Sequence, residues 1–106
     1  MELYSYFQSL MNDSDDVPAD SILSQSIHDD EHMKVVKFTF AAGQELSEHT
    51  STYAAVLFFL KGEADVTLGD DHKEAEVGTF VHMTPRLPHS IKAKTNVVMV
   101  LMMLKG

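Results

Sequence analysis

The sequence contains no cysteine, and only 3 prolines and 5 glycines among its 106 residues. Without cysteine the chain has no disulfide, no thiolate metal site and no thiol nucleophile. This absence favours a reducing compartment. With 44% hydrophobic and 23% charged residues, the composition is that of an ordinary globular protein. The length is enough for one domain with one core.

Basic residues are also scarce, since 8 Lys and Arg stand against 16 Asp and Glu, for a formal net charge of −8. Such a charge repels a phosphate backbone and an anionic membrane surface, so we expect neither nucleic acid nor membrane as a partner. The longest apolar runs, 53–60 and 97–104, are far shorter than the roughly 20 residues that cross a bilayer. The first residues lack the basic segment and cleavage site of a secretory signal. We therefore expect a cytoplasmic protein.

The first 24 residues differ in pattern from the rest of the chain. Apolar residues stand there at helical spacing, and an acidic run, 12–16, follows them. The apolar residues are Leu3, Phe7, Leu10 and Met11. This pattern predicts a short helix and an acidic loop over residues 1–24, packed on a barrel formed by residues 25–106.

From residue 25 onward, short runs rich in Val, Thr, Phe and Leu are separated by Gly, Asp, Asn and Pro, which is typical of an all-β fold. Gly69 and Asp70 tolerate the positive φ of a tight hairpin turn. The run 54–60 is apolar on both faces, so both faces of that strand must be covered. The predicted strands are 33–40, 45–49, 53–60, 64–68, 73–77, 79–83, 89–93 and 97–104.

Two histidines stand at motif spacing with glycines. The first motif is G-x5-H-x-H-x3-E-x6-G, which Gly43, His49 and Gly62 match, while Ser51 and Ala55 replace its second histidine and its glutamate.

The second motif is G-x5-P-x-G-x2-H-x3-N, and Gly78 and His89 match its glycine and histidine. Thr84, Arg86 and Ala93 replace its proline, second glycine and asparagine. These residues resemble the cupin family. The resemblance implies an all-β fold, a small single-domain cupin-type β-barrel of the double-stranded β-helix or jelly-roll kind, here with the short N-terminal helical segment added.

The resemblance implies a metal held by His49 and His89, but the carboxylate and second imidazole of the motif are absent. Residues two apart in a strand share a face, so one face is predicted to line a ligand pocket. These residues are His49, Ser51, Tyr53, Ala55, Leu57 and Phe59. His82, on the strand before the second motif, is a candidate third metal ligand if it faces the interior, and a surface histidine otherwise.

Arg86 stands at the turn position where the family has glycine, and a left-handed conformation there costs a non-glycine residue roughly 1–2 kcal/mol. At a barrel mouth its guanidinium would pair with a carboxylate-bearing ligand, because the planar fork matches two oxygens. The alternative is an exposed turn arginine.

Two classes of function follow. The first is a binding protein that holds a small organic molecule in the barrel, with or without a divalent transition metal (Zn, Ni, Fe, Cu or Mn) at the reduced histidine site. The second is a metal-dependent enzyme, an oxygenase, isomerase or lyase, acting on a small organic acid or phenol. A homodimer is expected in both, because the apolar residues of these strands cannot all point inward. They include Phe38, Phe40, Val56, Phe58 and Leu60.

Overall fold

The computed structural model describes residues 3–11 and 17–106, and within these residues it contains nine β-strands and no helix. All neighbouring strands run antiparallel. The strands are β1 (Ile22–Asp29), β2 (Met33–Phe40), β3 (Glu45–His49), β4 (Ala54–Lys61), β5 (Ala64–Leu68), β6 (Asp71–Ala75), β7 (Phe80–Met83), β8 (His89–Ala93) and β9 (Val97–Leu104). The predicted all-β class is confirmed.

The strands form two sheets, one with five strands in the order β1-β2-β9-β4-β7 and one with four in the order β3-β8-β5-β6. One buried cluster contains residues of both sheets, among them Leu57, Phe59 and Met99 from the larger sheet and Val66 and Ile91 from the smaller one. Two antiparallel sheets packed over a single core make the jelly-roll barrel that the motifs implied.

Alternation along the strands decides which side chains reach this core. On β4, Ala55, Leu57 and Phe59 are buried, whereas Ala54, Val56, Phe58 and Leu60 are half-buried on the opposite face. Phe40 is fully buried, and Phe38 packs against the core. Of the five apolar residues expected to compete for space, the two from β2 therefore face inward and the three from β4 face outward.

Five strands have the predicted bounds, and three differ by one or two residues. Strand β1 was not predicted. Its sequence is polar at most positions, because it lies at the edge of its sheet and pairs only with β2. It begins at Ile22, before residue 25, where the barrel was expected to start.

The predicted N-terminal helix is wrong, since residues 3–11 have no regular secondary structure. Leu3, Tyr4 and Tyr6 are more than 70% exposed. An isolated helix this short is marginal in water, and two of the four apolar residues of the predicted face, Leu3 and Phe7, are exposed rather than packed. The predicted acidic loop, 12–16, lies outside the described residues.

A chain of hydrogen bonds instead fastens the N-terminal segment to the β1–β2 turn. The Nε2–H of His28 donates to Oδ2 of Asp30 at 2.7 Å, and the hydroxyl of Ser5 donates to Nδ1 of His28 at 3.0 Å. Asp30 Oδ1 accepts from the backbone N–H groups of His32 and Met33.

Among the residues that the structure describes, there is no helix that could span a membrane.

Candidate functional site

His49 and His89 are brought together by the pairing of β3 with β8. The two residues stand directly opposite each other in the antiparallel register. Side chains of directly opposed residues project to the same face of the sheet and contact each other. Their ring centroids lie 4.1 Å apart, with the ring planes tilted by 58°. A register shift in β3 between Leu46 and His49 precedes the pair, and such irregularities re-aim a side chain.

The backbone fixes the ring protons of both histidines. Nδ1 of His49 lies 2.8 Å from the carbonyl oxygen of Ser47, and Nδ1 of His89 lies 2.9 Å from that of Leu87. A carbonyl oxygen only accepts, so each Nδ1 carries the proton. In a neutral imidazole the other nitrogen is then an acceptor. Both rings therefore offer the lone pair of Nε2.

Burial distinguishes the two rings. His89 is only 4% exposed, and burial lowers its pKa below 6.5, with the nearby charge of His49 adding to the effect and the Leu87 carbonyl opposing it. Among the described residues, the side-chain hydrogen bond of His89 is made through Nδ1, and none is found at Nε2. Since no fully buried side-chain nitrogen or oxygen among them lacks a partner, this nitrogen must reach open space.

That space is a cavity of about 400 Å³ between the two sheets, at one end of the barrel. Its floor is apolar and comes from β4 and β9, and its rim carries hydroxyls from the loop between β3 and β4. The lining residues are His49, Thr50, Ser51, Thr52, Tyr53, Ala55, His89, Leu101 and Met103. Arg86 N–H donates to the carbonyl of Ser51 at 2.7 Å, which holds this loop against the turn before β8.

The structure brings together five of the residues predicted to form the site: His49, Ser51, Tyr53, Ala55 and His89. Leu57 and Phe59 share the face of Ala55 but belong to the closed core, with exposures of 1% and 0%. Arg86 has the left-handed φ of 67° that its turn position suggested. Its side chain is exposed and does not line the cavity.

Four lining residues were missed: Thr50, Thr52, Leu101 and Met103. Leu101 and Met103 pair with Leu57 and Ala55 across β4 and β9. The alternation of β9 places them on one face, but only the strand order shows that this face closes the cavity.

His82 does not join the two histidines. It pairs with Val56, whereas its neighbour Met83, which is buried, pairs with Ala55. Successive residues of a strand point to opposite faces, so His82 lies on the outer face of the sheet and is exposed. The triad of His49, His82 and His89 is not formed, and the described residues contain no group of three His, Cys, Asp or Glu that could hold a metal.

The donor set at the pair does not fit a resident divalent metal. Catalytic zinc sites use three protein ligands, and here two imidazole nitrogens are accompanied by the hydroxyl of Ser51 and the methyl group of Ala55. The hydrogen bond from Nδ1 to a backbone carbonyl oxygen is also found in metal-bound histidines. The same bond leaves Nε2 available to accept a hydrogen bond from a ligand that contains no metal.

Two further depressions lie away from the pair. One of about 310 Å³ is lined mainly by Glu63, Glu74, Glu76 and Lys94, and one of about 580 Å³ lies beside the N-terminal segment. The first is polar and has no apolar floor beyond Ala75, and the second is a wide surface trough. Of these three depressions among the described residues, the cavity at the histidine pair combines an apolar floor with converging polar groups.

Comparison with known proteins identifies the family. The chain matches the cupin domain over residues 36–105, which is more than half of its length. The protein therefore belongs to the cupin family. No curated protein matches it.

Solved structures agree with this assignment. A cupin superfamily protein from Desulfitobacterium hafniense DCB-2 has a TM-score of 0.85 at 19% identity, over 100% of both chains. A conserved protein of unknown function from Streptococcus pyogenes has a TM-score of 0.81 at 21% identity, over 99% of this chain and 98% of that one. A mutant of salicylate 1,2-dioxygenase from Pseudoaminobacter salicylatoxidans has a TM-score of 0.74 at 16% identity, over 81% of this chain and 28% of that one. At these identities the likeness shows the fold.

Proposed function

We propose that this protein binds a small organic molecule in the cavity at the His49–His89 pair. The observation that carries the proposal is the pair itself, two rings 4.1 Å apart whose Nδ1 protons are already used and whose Nε2 lone pairs are free. The cavity volume of about 400 Å³ is within the range of small-molecule sites, which have mostly apolar walls and a few placed polar groups.

Thermal unfolding in the presence of a panel of small phenols, diols and organic acids tests this proposal. A ligand that binds only the folded state raises the melting temperature. We expect at least one class of compound to raise it, and we expect His49→Ala and His89→Ala to reduce the shift. His72→Ala is the matched control, because His72 is exposed on β6 and lies outside the cavity. No shift with any compound, or equal shifts in all variants, would contradict the proposal.

The second candidate is a metal-dependent oxygenase, isomerase or lyase acting on a small organic acid or phenol. It is favoured by the carbonyl bond to Nδ1 of both rings, which orients imidazoles for metal binding. The cupin-fold salicylate dioxygenase acts on a compound of this kind. We rank this candidate second because the donor set falls short of three protein ligands.

Metal analysis of protein purified without a histidine tag separates the two candidates. We expect much less than one equivalent of zinc, nickel, iron, copper or manganese. A metal content of about one equivalent in the wild type and in His72→Ala, lost in both His49→Ala and His89→Ala, would favour the enzyme.

We also propose that two copies of the chain associate through an outer patch on the five-stranded sheet, made of Val56, Phe58, Phe80, His82, Met102 and Leu104. The pairing of β4 with β7 and β9 places these residues side by side on the face away from the core. Phe80 is 62% and Leu104 44% exposed. The patch carries no acidic side chain in a chain of net charge −8, so it is a place where two copies can meet without like-charge repulsion.

A further inference from the structure

We propose that the ligand of this cavity is a neutral compound with two neighbouring hydroxyl groups on an apolar body, and that these hydroxyls donate to Nε2 of His49 and of His89. This inference rests on the proposed function, because it names the class of molecule that the same site takes.

The first step is the direction of the hydrogen bonds. Both Nδ1 protons are given to backbone carbonyls, of Ser47 and Leu87. Two neutral rings in this state present two acceptors and no donor to the cavity. A ligand group that only accepts, such as an ether or a carboxylate, would leave these lone pairs unmatched. A hydroxyl donates and satisfies them.

The second step is the spacing of the two acceptors. The rings belong to directly opposed residues, and their centroids are 4.1 Å apart. One small molecule can therefore meet both rings at once, and hydroxyls on adjacent carbons are the compact way to carry two donors.

The third step is charge. The side chains that line the cavity include no lysine and no arginine among the described residues, and the exposed Arg86 side chain does not reach it. A carboxylate would find no fixed positive charge there and would approach a protein of formal charge −8. An anionic ligand is disfavoured on both grounds.

The fourth step is the remainder of the wall. Ala55, Leu101 and Met103 form an apolar floor, and Met adapts its shape to the ligand. The hydroxyls of the rim both donate and accept, so they do not select against the proposed class. The ligand body is therefore apolar, with its two hydroxyls directed at the rings.

Binding of matched compounds to the full chain, measured by calorimetry after chelator treatment, tests the inference. The compounds are catechol and its dimethyl ether veratrole, cis-1,2-cyclohexanediol and its dimethyl ether, and benzoate. The buffer is held at about pH 8 under nitrogen, above the ordinary histidine pKa of about 6.5. We expect each diol to bind more tightly than its ether, by roughly two- to tenfold for each hydroxyl removed, and benzoate to bind more weakly than catechol.

A variant then assigns the preference to the rings. His49→Ala removes one acceptor at an exposed position, and we expect it to reduce the diol-to-ether ratio to that of a single hydroxyl, whereas His72→Ala leaves the ratio unchanged. The inference is overturned if neither diol binds more tightly than its ether, if benzoate binds most tightly, or if His49→Ala keeps the full ratio. The proposed function survives these results as long as some compound of the wider panel binds, and it fails only if none does.

Discussion

His89 is a residue whose protonation differs between the folded and unfolded chains. Burial lowers the pKa of its ring below the ordinary 6.5, with the charge of His49 adding to the effect. As the pH falls through 6.5, the unfolded chain takes up a proton on this ring before the folded chain does. The stability that depends on a neutral His89 is therefore fully present above 6.5 and is lost as the pH falls toward the folded-state pKa.

We expect this loss to be visible as a difference between the wild type and His89→Gln, which does not titrate. The free energy of unfolding, measured by urea denaturation of chelator-treated protein between about pH 8 and pH 5, should fall more steeply in the wild type than in the variant. If the free energy of unfolding falls equally in the two proteins, or falls more steeply in His89→Gln, the predicted role of burial is contradicted.

Gly62, a motif glycine, is required for two reasons. Its φ is +86°, and a Cβ added there would come within 2.0 Å of the carbonyl oxygen of Asn96 and 2.8 Å of Oγ1 of Thr95. Gly43 has nearly the same φ, +85°, but a Cβ there would meet nothing within 4 Å. The two positions therefore separate the conformational cost from the steric one.

Replacing each glycine by alanine measures these costs. We expect Gly43→Ala to lower the free energy of unfolding by about 1–2 kcal/mol, the cost of left-handed backbone. Gly62→Ala should lower it by about 1–3 kcal/mol more, since overpacking is added. Equal losses in urea denaturation would show that the backbone near Asn96 moves aside without cost.

At the scale of the elements, β9 is the central strand of the larger sheet and lies between β2 and β4. Met99 is fully buried and pairs with Phe38 on one side and Phe59 on the other. Met102 is half-buried on the opposite face. One face of this apolar strand thus serves the core. On the opposite face Val98 and Val100 are buried, and Met102 and Leu104 belong to the outer patch.

Truncation of these two methionines should reveal the difference between the faces. We expect Met99→Ala to lower the free energy of unfolding by about 2–5 kcal/mol, because it leaves a cavity in the core. Met102→Ala should cost about 1 kcal/mol or less. Chemical denaturation of both variants is the measurement, and a larger loss for Met102→Ala would mean that the core lies on the other face.

At the scale of the whole molecule, the outer patch predicts a mass of two chains, twice 11.8 kDa, in size-exclusion chromatography with light scattering. We expect Phe80→Glu to give a monomer, because it replaces the most exposed apolar side chain of the patch by a charge. Val77→Glu is the control, since Val77 is 66% exposed but lies in the turn before β7. A monomeric wild type, or a dimer that tolerates Phe80→Glu as well as Val77→Glu, would refute the proposed association.

The N-terminal segment shows where sequence patterns fail in a molecule of this kind. Leu3, Phe7, Leu10 and Met11 have helical spacing, yet residues 3–11 are without regular structure. A short helix needs a fully packed apolar face, and here Leu3 and Phe7 are exposed. The sequence pattern missed strand β1 for the opposite reason. Its residues have little apolar alternation, and pairing with β2 alone makes it a strand.

The sequence by itself determined the fold class, most strand bounds and the two histidines, because alternation, turn residues and motif spacing are local properties of the chain. Only the tertiary structure decided which faces meet. Strand register set His49 against His89, turned His82 outward and brought Leu101 and Met103 under the pair. The physical reason is that a strand offers two equivalent faces, and a one-residue change of register, which no local pattern records, exchanges them.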